Sequence, residues 1–260
     1  MSRGLWDRET VALLLIAACL PLAVIWLGYG GTGAALRLVS VGLVLAGWQL
    51  VFLLARAQPP SLAAAVTALA IAMLAPEELG PLRMVLGVSF GVVMGELVFG
   101  GWGRNVVHPA TVALAFLGFG FPGVGWPEIL LPVAWAAIPA AALGIALGVM
   151  HWPVIAGAVL TGAVTTQLGH VPAATLPAAA VALVLLVADP VTSATTPLGR
   201  WLNGGLYALM LTLFASHWAG AAPVQIAVSA ALFAALAAPL LDEAAIALWR
   251  ARRRRRHGQP

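Results

Sequence analysis

Apolar runs broken only by short polar or Gly/Pro-rich stretches fill almost the whole chain. They predict helical spans near 10–28, 33–55, 60–76, 80–99, 106–122, 128–150, 152–169, 172–188, 201–219 and 223–249. A bilayer core about 30 Å thick takes roughly 20 residues per helix, so about ten spans consume most of the 260 residues and leave short loops. The expected fold class is an all-α polytopic membrane protein, one membrane domain over 1–260. Residues 1–9 form a cytoplasmic N-terminus, 10–249 a helical bundle and 250–260 an Arg-rich cytoplasmic tail. The first run, Val11 to Leu27, follows Arg3, Asp7, Arg8 and Glu9 as the core of a signal peptide would. It lacks a convincing small-residue cleavage site, because Gly28-Tyr29-Gly30-Gly31 leads straight into the next run, and it reads as a retained helix.

Composition agrees: 62% of residues are hydrophobic and 8% charged, with a mean hydropathy of +1.00, values that exclude a water-soluble fold. The 13 basic residues are all arginine. With the N-terminus inside, Arg3, Arg8, Arg56, Arg104, Arg200, Arg250 and Arg252 to Arg256 fall on the cytoplasmic side of a bacterial inner membrane, leaving Arg37 and Arg83 outside. An even span count returns the C-terminus to the cytoplasm, where Arg252–Arg256 can meet anionic headgroups. That run needs no nucleic acid to explain it. Cys19, the single cysteine, lies within the first span and reads as packing, so no disulfide, Cys-based metal site or iron–sulfur cluster is expected from this chain. A weak internal similarity relates Pro60-Ser61 through Leu74-Ala75-Pro76 to Pro172-Ala173 through Val187-Ala188-Asp189-Pro190. Its offset of five helices predicts a 5+5 inverted repeat.

Two loops on the arginine-rich side depart from lipid-facing chemistry. The first, Phe99-Gly100-Gly101-Trp102-Gly103-Arg104-Asn105-Val106-Val107-His108-Pro109-Ala110, follows Glu96. Gly100, Gly101 and Gly103 let backbone approach a flat ligand, Asn105 and His108 offer hydrogen-bonding groups, and Pro109 breaks the helix. An aromatic or anionic ligand suits it; so does a tight interfacial turn anchored by Trp102 and Arg104. The second, from Asp189-Pro190-Val191-Thr192-Ser193 through Thr195, Thr196, Pro197, Arg200 and Asn203 to Gly205, carries hydroxyls between two prolines, and reads either as a cavity-lining broken helix or as a well-capped loop. Glu96, Asp242 and Glu243 are ionisable at membrane depth and default to functional candidates, with Glu96 and Asp242 as ion-coupling candidates. His151, His170 and His217 sit at span ends, no two histidines have metal-ligand spacing, and no metal is expected.

At these loops the chain resembles the B subunit of the sodium-pumping NADH:quinone oxidoreductase and the D subunit of the Rnf electron-transport complex. The resemblance runs from about Pro60 to Arg256. It is carried by Phe90-Gly91-Val92-Val93 with Phe99 to Asn105 and Pro109-Ala110, by Ala188 to Ser193 with Gly199-Arg200-Trp201, and by Leu232-Phe233-Ala234 with Ala238-Pro239-Leu240-Leu241-Asp242. It implies a ten-helix inverted-repeat subunit working with the other subunits of a membrane redox complex, coupling flavin electron transfer to sodium or proton movement. It also implies a non-covalent flavin, riboflavin or flavin mononucleotide, near the cytoplasmic side, with Gly100, Gly101, Gly103, Asn105, His108, Asp189, Thr192 and Arg200 as candidate contacts.

The sequence departs from the family at the extracytoplasmic loop where members carry covalent flavin mononucleotide on a threonine. Here that loop is Gly120-Phe121-Pro122-Gly123-Val124-Gly125-Trp126-Pro127, which has no threonine, so no covalent flavin is expected there. Thr195 superficially fits an attachment pattern but falls on the opposite side and lacks the glycine. His108 stands where the family has a second asparagine, and the N-terminal extension of longer members is absent. Two other readings follow from the same pattern: a channel or secondary transporter of the same fold, and a membrane anchor for a separate redox protein.

Overall fold

The computed structural model describes residues 7–168 and 171–257, with side chains in the last helix as far as Arg253. Arg3, His170 and the side chains of Arg254 to Arg256 lie outside the described residues. Among those described, the regular structure is helical: α1 (Arg8–Arg56), α2 (Ala64–Leu74), α3 (Gly80–Val92), α4 (Pro109–Gly120), α5 (Leu131–Ala146), α6 (Trp152–Gln167), α7 (Leu176–Ala182), α8 (Pro197–His217) and α9 (Pro223–His257). Two π-helical turns, Val93–Leu97 and Leu183–Val187, extend α3 and α7.

α1 is one continuous element that doubles back on itself. Gly31 has φ 55° and ψ −139°, a backbone setting open essentially to glycine alone. The reversal is fixed by two hydrogen bonds: Glu9 accepts from the Leu62 amide at 3.2 Å, and the Gln49 side chain donates to the Ser61 carbonyl at 3.2 Å. Residues 9 and 49 of a straight helix would be about 60 Å apart, so both can reach residues 61–62 only if the helix folds into two antiparallel arms. These are the first two sequence-derived spans, joined with no loop between them.

α2 is buried on every side from Val66 to Leu74, and the π turn after α7 is buried throughout. Helices apolar all round belong at the centre of a bundle. The second arm of α1 is pinned to the next layer where Trp48 Nε1 donates to Ser89 Oγ at 2.7 Å. The other principal contacts are α6 on α8, α8 on α9, α1 on α5 and α3 on α4. Small residues permit the closest of these: a Cβ at Gly204 would strike the Val154 carbonyl, and one at Gly157 the Trp201 carbonyl, the close backbone approach by which membrane helices pack.

By length and composition three helices can cross a membrane, Arg8–Arg56, Gly80–Leu97 and Pro223–Arg253, alongside four shorter apolar ones. The boundaries differ from the sequence reading mainly in the second half. The run at 172–188 divides into a 3-10 turn (Ala173–Thr175), α7 and its π turn. α8 begins at Pro197, with Thr196 as its N-cap accepting from the Gly199 amide, so Arg200 and Asn203 are helical residues rather than loop residues.

Candidate functional site

Both loops sit at the end of the bundle where α1 begins. The first leaves the π turn of α3 and winds through Gly100, Gly101 and Gly103 at φ 101°, 93° and 95°, values that L side chains rarely adopt. Its polar side chains face inward. Asn105 Oδ1 accepts from the Gly103 amide at 3.1 Å, and Asn105 Nδ2 donates to the Val107 carbonyl at 3.4 Å. His108 Nδ1 accepts from the Ala110 amide at 3.2 Å, so His108 caps α4 and Pro109 opens that helix at a position where a missing N–H costs nothing. Trp102 is buried, which removes it from the headgroup-anchor reading; Arg104 is exposed.

Glu96 lies in the π turn and is 2% exposed. Its carboxylate accepts from the Trp102 backbone amide and feels the Arg8 guanidinium. Gln58 completes this corner: with its amide nitrogen toward Leu97 it donates to that carbonyl at 3.2 Å, and its oxygen accepts from the Gly101 amide at 3.0 Å.

In the second loop Asp189, 3% exposed, accepts through Oδ2 from the Val191 amide (3.2 Å) and from the Thr192 amide and hydroxyl (both 2.9 Å). Its other oxygen, Oδ1, is buried without a partner. The far half of the loop is gripped from the neighbouring helices. Asp242 of α9 accepts from the amides and hydroxyls of Thr195 and Thr196 at 2.6–2.9 Å, and Arg200 Nε donates to the Ala194 carbonyl at 3.3 Å.

The bundle brings the two loops together: Asp189 lies close enough for its charge to act on Glu96, His108 and His151. His151, between α5 and α6, has its pKa lowered, first by burial and then by Arg200, against the opposing pull of Asp189. The buried side-chain atoms left without a hydrogen-bond partner gather here: Arg8 Nε and Nη2, Thr111 Oγ1, His151 Nδ1, Asp189 Oδ1 and Ser193 Oγ, with only Arg37 Nε at the opposite end among the described residues; Arg8 Nε lies 3.7 Å from Glu9 Oε1 as a loose ion pair. Unmade hydrogen bonds of buried groups cost about 1–3 kcal/mol each, so this end of the bundle concentrates polar groups that the fold itself leaves unsatisfied.

Of the sequence candidates, Glu96 and Asp189 are therefore joined in one buried polar region. Asn105, His108, Thr192, Arg200 and Asp242 hold loops and helix ends. Arg8, Gln58, Thr111, His151 and Ser193 went unrecognised as site residues. Arg8 counted only as a topogenic charge, His151 only as a span end, and Gln58 is marked in sequence by nothing more than its place before Pro59-Pro60. The fit to a flavin is poor in this arrangement: Asn105, His108 and Thr192 spend their polar atoms inside the loops. The gap bordered by Gln58, Ser61 and Glu96 has no room even for a water-sized molecule, where ligand pockets begin at roughly 300 Å³.

Residues 6–130 match the NQR2, RnfD, RnfE family. The B subunit of the Na(+)-translocating NADH-quinone reductase of Klebsiella pneumoniae is 34% identical over 99 residues, 37% of this chain and 24% of the relative. Its counterpart in Yersinia pestis is 38% identical over 74 residues, 28% and 18% of the two chains. The D subunit of the ion-translocating oxidoreductase complex of Aeromonas hydrophila is 34% identical over 118 residues, 43% and 33%. The matched segment thus spans a third or less of the length of these curated relatives.

Proposed function

Over residues 6–130 the chain belongs to the NQR2, RnfD, RnfE family, and from that premise we propose that it is an integral subunit of an ion-translocating electron-transport complex in the bacterial inner membrane. It handles Na⁺ or H⁺ at the buried Glu96–Asp189 region, and other subunits supply the electron path. The observation that carries this reading is the set of unpartnered polar atoms around two buried carboxylates. Ionisable groups at membrane depth are expensive and mark ion and proton routes, and the π turn holding Glu96 is a helix defect of the kind found at functional sites.

The ten-span topology is supported by the two arms of α1 followed by α2 to α9, whose polar contacts alternate between the two ends of the bundle. Arg8, Arg104 and Arg200 lie with the two loops, and Arg37 lies at the other end with Ala75 and Pro76, which makes the loop end cytoplasmic by the arginine rule. A 5+5 inverted repeat is supported by the packing. α3 packs on α4 as α8 does on α9, α1 on α3 as α6 on α8, and α2 on α4 as α7 on α9, while α1–α5 and α4–α9 pair across the two halves.

A non-covalent flavin held by this chain requires the two closed loops to part. Their closure favours the narrower role, in which the chain anchors and couples redox carriers borne by other subunits. A visible absorbance spectrum of the purified chain, before and after acid precipitation, separates the two: a band near roughly 450 nm that moves to the supernatant supports a resident non-covalent flavin. The ion-handling role is tested in the assembled complex, where Glu96→Gln is expected to leave subunit association intact and to lower ion-coupled turnover about tenfold or more in inverted membrane vesicles. Coupled turnover at the unsubstituted level would refute the role of Glu96.

A further inference from the structure

A second, open cavity has no part in either loop. It lies at the opposite end, between the reversal of α1, the end of α2, the start of α3 and the start of α5, and measures about 810 Å³, within the range of small-molecule sites. Its floor is apolar, formed by Val44, Ala72, Met73, Met84 and Val133, and its rim is charged, formed by Arg37, Glu77 and Glu128. Trp26 and Tyr29 stand beside that rim, the level at which aromatic belts meet the bilayer interface.

The geometry points to a binding site for one zwitterionic phospholipid bearing a primary amine. Its acyl chains lie over the methionine-lined floor, its phosphate is met by Arg37 and its ammonium by Glu77 and Glu128. Three observations converge on this occupant. Arg37 Nη2 donates to the Ala75 and Pro76 carbonyls, which holds the guanidinium at the rim. Its Nε has no partner, and among the described residues no carboxylate lies within ion-pairing distance, Glu77 acting on it only through space. The guanidinium is thus held at the rim with Glu77 as a nearby countercharge but no carboxylate in direct contact among the described residues.

Second, the rim carries one positive and two negative groups, and Glu77 and Glu128 are exposed. A purely anionic headgroup meets a net negative rim, whereas a phosphate with an ammonium a few ångströms away is matched at both charges. Third, the apolar floor lies at the depth of the hydrocarbon once the helices span a bilayer. Acyl chains, not water, fill an apolar recess there, and the wall is left open by glycine, since a Cβ on Gly33 would meet nothing within 4 Å. This site rests on the membrane-spanning reading alone and is independent of the redox and ion-handling roles.

The test is native mass spectrometry, with headgroup analysis, of the full chain purified in mild detergent from membranes containing phosphatidylethanolamine and phosphatidylglycerol. About one phosphatidylethanolamine per chain is expected to survive detergent exchange. Gly33→Trp fills the cleft without touching any hydrogen bond and should lower that retention about tenfold; Ser40→Phe, on the same wall, serves as a second filling variant. Glu77→Gln with Glu128→Gln should shift retention toward phosphatidylglycerol. The assignment is overturned by retention that ignores the headgroup, by preference for the anionic lipid in the unsubstituted chain, by no retained lipid in monodisperse protein, or by unchanged retention in both filling variants.

Discussion

Glu96 and Asp242 are both acids on helices that flank a loop, and their surroundings give them different work. Asp242 satisfies four donors of Thr195 and Thr196 and acts as a clasp between α9 and the start of α8. Asp242→Ala is expected to cost about 1–2 kcal/mol once its partial exposure is allowed for, read as a lower thermal midpoint in detergent and faster amide exchange at residues 195–196. His151 supplies a pH signature. Burial and Arg200 hold its pKa below the ordinary 6.5, so below that pH the unfolded chain binds a proton that the folded chain refuses. Stability therefore rises with pH across this window and is lost as pH falls from about 6.5 toward the folded pKa. In His151→Gln the fall in thermal midpoint between pH 7 and pH 5.5 should flatten; an unchanged slope would assign that pH response to other groups. At this scale the chain disclosed which polar residues were unusual but not their partners, because Asp242 meets Thr196 across 46 positions and no local pattern encodes such a pairing. Gly100, Gly101 and Gly103 stand out in the sequence for close backbone approach; what they supply is three positive-φ settings that turn the first loop, a use of glycine the sequence reading does not name.

Elements were more legible than contacts. Breaks at Gly28-Tyr29-Gly30-Gly31, at Gln58-Pro59-Pro60 and at Pro197 each mark a place where the chain turns or a helix starts, because glycine and proline act through their own backbone dihedrals. The π turns after α3 and α7 left no trace in the sequence, since an extra residue in a helix is absorbed by tertiary packing rather than by composition. α1 shows how little is needed to reverse a helix within a bundle: Gly31 alone carries the non-helical dihedrals. Gly31→Ala should cost about 1–3 kcal/mol and reduce the yield of monodisperse protein, although nothing lies within 4 Å of the added carbon, so strain and not collision is the cause. The crossing of α6 and α8 makes the reverse case. Gly204→Ala drives a methyl into the Val154 carbonyl, whereas Gly162→Ala, also at that crossing, reaches only ordinary contact with Ala208 at 3.9 Å. The first should destabilise the fold far more than the second, by size-exclusion profile and thermal midpoint; equal tolerance of both would show that the two helices can slide apart.

At the scale of the whole molecule, charge and packing have to agree on one orientation, and that agreement can be tested without reference to any activity. The loop end gathers Arg8, Arg104 and Arg200 with the buried carboxylates, and the cleft end holds Arg37, Glu77 and Glu128. On the proposed topology, a cell that sorts helices by arginine count would leave the proposed ion-handling region facing the cytoplasm and the proposed lipid cleft facing outward. Cys19 is buried and is the single cysteine of the chain, so a Cys19→Ala background leaves no thiol, and cysteines placed singly can report their side. Arg104→Cys and Arg253→Cys should react with a membrane-impermeant maleimide only in inverted vesicles, and Glu78→Cys and Gly125→Cys only in intact spheroplasts. Labelling of all four from one side would overturn the even-span topology. Reversed labelling would keep the topology and reverse the membrane sides assigned to the ion-handling region and the cleft, because the two are fixed to opposite ends of one packed bundle.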